Sequence, residues 1–235
     1  MCGGSTGCGA ERTETVSGRL ILARHGQTVA NVARRLDTKL PGAELTDLGI
    51  EQARTLGRNL ADRPPALLVA SQALRARQTA DNAAPSIGLE PVVREGVHEV
   101  QVGELEDRSD EESHKLFMKV YEEWHNGDLR ARVPGGESAL DVLDRYVPVL
   151  DSLRSDYLDA GSGDVVVVSH GAAIRLVAAY LGKVPGSFAT ANHLANTQTV
   201  ELVPVAGGGW ECVRWGTVLA PFHDTARGGA DDPMG

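Results

Sequence analysis

Two rhythms of apolar and polar residues run along this chain. Short unbroken apolar runs, RLILA, ALLVAS and DVVVVS, have the length and β-branched content of buried strands. PVVREGVHEV reads as a further strand, and TVELVPV with WECVRWG as a closing pair. Between them apolar residues recur at helical spacing. In AELTDLGIEQARTLGRNLADR, Thr46 offers a cap, Ala53, Leu56, Gly57 and Leu60 share a face, and Pro64 and Pro65 stop the helix. ALRARQTADNAAP, the stretch from Asp110 to Trp124 and AAIRLVAAYLG read as helices, the last ended by Gly182. After the break at Pro134 to Ser138, Leu140, Leu143, Val147 and Leu150 mark one face of another helix, which Pro148 is expected to bend.

Strands alternating with helices predict an α/β fold, a three-layer α/β/α sandwich over a mostly parallel sheet. The length, 235 residues, suits a single domain, placed at residues 18–222. A small helical lid is expected at about 103–138. Residues 1–17, rich in Gly, Thr, Ser and Glu, read as a disordered leader, and 223–235 as a flexible tail.

A formal net charge of -9 argues against a nucleic-acid partner. No stretch is long and apolar enough to cross a membrane, and the N-terminus lacks the apolar core of a signal peptide. Cys2, Cys8 and Cys212 are too few and too scattered for a disulfide framework, which suggests a cytoplasmic protein with reduced thiols. Cys2 and Cys8 have no histidine nearby, so no metal site is read there or elsewhere.

In such sheets ligands bind where strands end and helices begin, and the polar residues at those places share one chemistry. The first strand ends in Arg24-His25-Gly26 and the strongest in Ser169-His170-Gly171. The second ends at Ser71 and leads to Arg75, and the third carries Glu99. Two guanidinium groups, two imidazoles and a carboxylate at strand exits suit a phosphate ester. The arginines neutralise its oxygens, a neutral imidazole can attack phosphorus, and a carboxyl group can supply a proton. Gly26 and Gly171 let backbone approach the anion, and the helix after Gly171 is expected to aim its amino end at it.

RHGQT, LRARQTA, the acidic residue in HEVQVGELED and VVVSHG, in this order over roughly Arg19 to Leu202, resemble the histidine phosphatase superfamily, the phosphoglycerate mutase-like proteins. Within it the chain is most similar to bacterial, including actinobacterial, phosphoglycerate mutase-like phosphatases. The resemblance implies that His25 is the nucleophile, His170 the second histidine, Glu99 the acid and base, and Arg24 and Arg75 the phosphate clamp. It also matches Asn31 to a phosphate contact, the alternative being a helix-surface amide; Thr28 either touches a phosphate oxygen or caps a helix. In the pattern R-A-x-x-T, Arg75 matches with Ala76 and Thr79, and Arg77 is left to solvent. Glu104, Glu106 and Asp107 rival Glu99, and many relatives have glycine where Asp107 stands.

The implied activity is metal-independent hydrolysis of a small phosphomonoester through phosphohistidine, with no cofactor and a small phosphorylated metabolite as partner. A cofactor-dependent phosphoglycerate mutase and a non-catalytic phospho-ligand binding protein are the alternatives. The short stretch after Glu99 speaks against the mutase, and the complete residue set against the binder. A homodimer is left open. Specificity is expected from Arg108, Lys115, Lys119, Tyr121 and Trp124 in the lid, with Arg34, Arg35 and Lys39. His114, His125, His193 and His223 are read as surface residues, and His98 as either a surface or a pocket residue.

Overall fold

The computed structural model describes residues 18–224. The leader expected at 1–17, with Cys2 and Cys8, and the tail beyond Asp224 lie outside the described residues. Seven strands form one mixed sheet: β1 (Leu20–Arg24), β2 (Leu67–Ser71), β3 (Val92–Arg94), β4 (Val165–Ser169), β5 (Thr199–Pro204), β6 (Trp210–Trp215) and β7 (Val218–Leu219). Their order is β3-β2-β4-β1-β5-β6-β7. The first four in that order are parallel, while β5, β6 and β7 continue antiparallel from β1.

Helices α1 (Val29–Val32), α2 (Asp47–Ala61), α3 (Leu74–Ile87), α4 (Glu111–His125), α5 (Ala139–Leu153), α6 (Gly171–Gly182) and α7 (Gly186–Ala191) complete the chain. Side chains alternate across a strand, so the central strands bury both faces. Ile21, Ala23, Val166 and Val168 pack with Leu56, Ala76 and Ala80 of α2 and α3. Leu20, Leu22, Val165 and Val167 pack on the opposite side with residues of α4 to α7. The three layers follow from this alternation. No helix among the described residues is long and apolar enough to cross a membrane.

The structure departs from the sequence expectations at several points. The third strand ends at Arg94, and Glu99 stands five residues beyond it in an irregular segment. The residue that turns left-handed after α6 is Lys183 (φ 52°), one beyond the expected Gly182. The buried stripe of α5 runs through Ala139, Val142, Leu143, Tyr146, Leu150 and Leu153, while Leu140 and Val147 are only half-buried. In the segment expected as a lid, Phe117, Tyr121 and Trp124 of α4 belong to the core that covers the sheet. Tyr121 and Trp124 are therefore packing residues and do not face a substrate. His114 is also buried, with its Nε2 2.8 Å from the carbonyl of Arg34, and His125 and His193 are half-buried.

Candidate active site

The register of the central strands assembles the site. Arg24 on β1 pairs with Ser169 on parallel β4, so the residues that follow, His25 and His170, leave the sheet side by side. Ala70 of β2 pairs with Val168 of β4, which brings Ser71 to the same edge. Arg75 then reaches back from the first turn of α3. Arg24, His25, Arg75, Glu99 and His170 are all buried and lie together.

Arg75 is the hub. Its Nε is 3.2 Å from Nε2 of His25 and 3.2 Å from Nδ1 of His170. Nδ1 of His25 lies 2.7 Å from the carbonyl of Gly26, and Nε2 of His170 lies 2.8 Å from Ser71 Oγ. These partners fix both tautomers. His25 donates from Nδ1 and keeps a lone pair on Nε2, while His170 donates from Nε2 and keeps one on Nδ1. Burial, then the charges of Arg75 and Arg24, holds His25 well below its ordinary pKa. Burial, then Arg75, does the same for His170. Both rings are neutral around neutral pH.

Glu99 is held by the start of α6. Its Oε1 accepts from the amides of Val100 (2.8 Å) and Ala173 (2.9 Å), and its Oε2 from that of Ala172 (3.3 Å). The amino end of α6, expected to face the anion directly, is thus occupied by this carboxylate. Burial raises the Glu99 pKa, against the opposing effect of the amides and Arg75. The loop that carries Glu99 is fastened by Arg145 of α5. Its guanidinium donates to the carbonyls of Gly96 (2.7 Å), His98 (2.8 Å) and Glu99 (3.0 Å), and its Nε lies 2.8 Å from Glu137.

The remaining predicted residues divide. Thr28 caps α1, and Thr28 and Asn31 bond each other in a capping box. Both also line the open pocket, together with His25, Glu99, Arg75, Arg35 and Asp37. Nη1 of Arg24 donates to the carbonyl of Leu194 at 2.6 Å, so this nitrogen is committed to the backbone. Gly26 is needed for a close approach: a Cβ there would sit 2.5 Å from the carbonyl oxygen of Gly49 in α2. Thr79 accepts from the Gly26 amide at 3.0 Å and bonds the carbonyl of Arg75 at 2.7 Å, tying the two motifs together. Arg77 is exposed, as expected.

Of the rival acids, Glu104 and Asp107 are exposed and Glu106 is engaged elsewhere. Glu106 accepts from the backbone amides of Thr38 and Lys39, both at 2.9 Å, and from the Thr38 hydroxyl. Asp107 is exposed with φ 65°, a left-handed conformation that favours glycine. Sequence reasoning missed Asp37, whose Oδ2 lies 3.3 Å from Nη1 of Arg75. It also missed the Leu194–Thr197 loop, where Asn196 donates to the carbonyl of His25 at 3.1 Å. A lone aspartate between basic residues in RRLDTKLPG was the one visible hint to the former. Nothing local marks the latter.

Comparison with known proteins identifies the family. The family model described as "Histidine phosphatase superfamily (branch 1)" matches residues 20–218. The chain is 32% identical over 189 residues to a glucosyl-3-phosphoglycerate phosphatase of Mycolicibacterium vanbaalenii, covering 78% of this chain and 83% of that protein. It is 30% identical over 213 residues to a probable phosphoglycerate mutase GpmB of Yersinia pestis, covering 89% and 94%. The structure of a mycobacterial glucosyl-3-phosphoglycerate phosphatase with VO3 superposes with a TM-score of 0.73 at 28% identity, covering 86% of this chain and 100% of that one.

Proposed function

This chain belongs to the histidine phosphatase superfamily, and from that premise we propose that it hydrolyses a small phosphomonoester by passing the phosphoryl group through His25. The observation that carries the proposal is the single Arg75 N–H 3.2 Å from a ring nitrogen of each histidine. A dianionic phosphoryl group entering there finds guanidinium charge on one side and the lone pair of His25 Nε2 on the other. That lone pair attacks phosphorus, and the bond from phosphorus to the ester oxygen breaks. Glu99 gives a proton to the departing alkoxide from Oε2, the oxygen with the single longer hydrogen bond. It then takes a proton from water, which attacks phosphorus, cleaves the N–P bond and returns His25 to its starting state. His170 supports the charge on the phosphoryl oxygens as the dianion draws a proton onto it. Arg24, Thr28 and Asn31 complete the phosphate contacts.

The same reading puts the reaction in the cytoplasm, acting on a phosphorylated metabolite without a resident metal or cofactor. The similarity to a protein named as a probable phosphoglycerate mutase favours a second reading, in which a glycerate product and not water receives the phosphoryl group. One experiment separates them: a panel of phosphomonoesters assayed for phosphate release, with and without 2,3-bisphosphoglycerate, in EDTA. Hydrolysis that ignores the bisphosphate and EDTA, and that is lost in His25→Ala, supports the phosphatase. Interconversion of 3- and 2-phosphoglycerate only when the bisphosphate is present supports the mutase. Near-normal hydrolysis by His25→Ala removes the phosphohistidine step.

A further inference from the structure

The wall of the pocket carries a charge that the phosphoryl chemistry does not use. Asp37 lies beside the phosphate-binding arginine, its Oδ2 3.3 Å from Arg75 Nη1, and both side chains line the pocket that holds His25 and Glu99. The Asp37 side chain is 14% exposed, so it meets the pocket without standing free in solvent. The carboxylate is fixed there. The Ala43 amide donates to Oδ2 at 2.8 Å. Next along the chain, Thr38 and Lys39 are held through three bonds to Glu106. Two carboxylates therefore anchor this turn, and the inner one looks onto the arginine that a phosphate must reach. Arg35, the other cation on the pocket wall, lies farther out, with its Nε 3.6 Å from Asp107.

We propose that Asp37 is a specificity-determining residue that selects phosphate esters whose alcohol carries a hydroxyl or ammonium group near the phosphate and disfavours those that carry a carboxylate there. The proposal rests on the phosphatase reading. With the phosphoryl group on Arg75, the first atoms of the leaving alcohol lie next to the Asp37 oxygens. A hydroxyl or ammonium donates to them and is bound. A carboxylate meets a fixed like charge across a short gap with little water between. On this ground the chain departs from the relatives named for a phosphoglycerate derivative and prefers polyol or amino-alcohol phosphates.

The test compares kcat/KM for glycerol 3-phosphate, phosphoethanolamine and 3-phosphoglycerate in the wild type and in Asp37→Asn, with p-nitrophenyl phosphate as reference. Asparagine keeps an oxygen for the Ala43 amide while removing the charge. The expected wild-type order places glycerol 3-phosphate and phosphoethanolamine above 3-phosphoglycerate. In Asp37→Asn the ratio of glycerol 3-phosphate to 3-phosphoglycerate should fall about tenfold or more, chiefly through a lower KM for 3-phosphoglycerate. A purely structural Asp37 would lower all four together and leave the ratio alone. An unchanged ratio in an active variant overturns the inference and leaves the phosphatase reading standing. A wild-type preference for 3-phosphoglycerate overturns it without any variant. Failure of the wild type to release phosphate from every ester, p-nitrophenyl phosphate included, removes both.

Discussion

The rings of His25 and His170 lie 5.2 Å apart, tilted by 59°, with one arginine N–H between them. Neither ring can protonate easily beside that guanidinium in a buried site. The pair is therefore a place where positive charge is withheld until an anion arrives. This sets the pH profile. The acidic limb of kcat/KM should fall well below 6.5, because His25 stays neutral down to there. The basic limb should reflect loss of the Glu99 proton and lie above 4.5, the ordinary value for that group. A profile on an alkyl phosphate reads both, and an acidic limb at 6.5 or higher would contradict the neutral histidine.

If Glu99 donates the proton, its removal should matter most for a poor leaving group. Glu99→Gln should lower single-turnover phosphorylation from an alkyl phosphate by roughly 10²–10⁴-fold, and that from p-nitrophenyl phosphate clearly less. The burst rate, not the steady state, must be compared, since Glu99 also serves the second step. Equal losses on both substrates would show that Glu99 positions the phosphate instead of protonating the alcohol.

Arg145 holds the three carbonyls that shape the Glu99 loop but stands outside the phosphate cluster. Arg145→Lys keeps the charge and loses the fork that spans Gly96, His98 and Glu99. It should reduce kcat on alkyl phosphates by about 10- to 100-fold through misplacement of the acid. The loss on p-nitrophenyl phosphate should be smaller, copying the Glu99 pattern. A uniform fall across substrates that tracks lost thermal stability would assign Arg145 to the fold alone.

Stability should carry a histidine signature from outside the site. Burial, then Arg175, brings His125 down to about 4. Above pH 6.5 folded and unfolded chains bind the same number of protons at this group. As pH falls from 6.5 towards 4 the unfolded chain takes up a proton that the folded one refuses, so stability declines, by up to about 3 kcal/mol at this residue. Glu99 acts with the opposite sign, contributing below its ordinary 4.5 and fading as pH rises through its raised value. Urea denaturation between pH 7.5 and 4.5 should show a shallower decline in His125→Gln than in the wild type; equal slopes would refute the assignment.

What was legible in the sequence, and what was not, follows the range of the interactions. His25 and His170 could be read because each ends a strongly apolar strand, and strand ends in a parallel sheet fall in line. Arg75 could be read because one helical turn separates it from Thr79, which grips it. Glu99 lies with the other predicted residues but was wrongly placed on a strand. Its segment is bent away after Arg94, with Gly96 at φ 87° and three carbonyls drawn to Arg145 from a helix far along the chain. Asp37 and Asn196 act only through such distant partners, so no local period or cap betrays them. Tyr121 and Trp124 were misjudged for a related reason: an amphipathic helix shows which face is apolar but not whether it covers a pocket or a sheet.

The grip of the Leu194–Thr197 loop on the first motif has a consequence for how the protein comes into being. The carbonyl that holds Arg24 and the amide that holds His25 leave the ribosome 170 and 171 residues after them. β1 likewise lacks both its neighbours until β4 and then β5 have been made. His25 is thus made long before the residues that set it in place. A nascent or truncated chain ending before Leu194 carries the Arg24-His25-Gly26 motif but neither of these two fastenings.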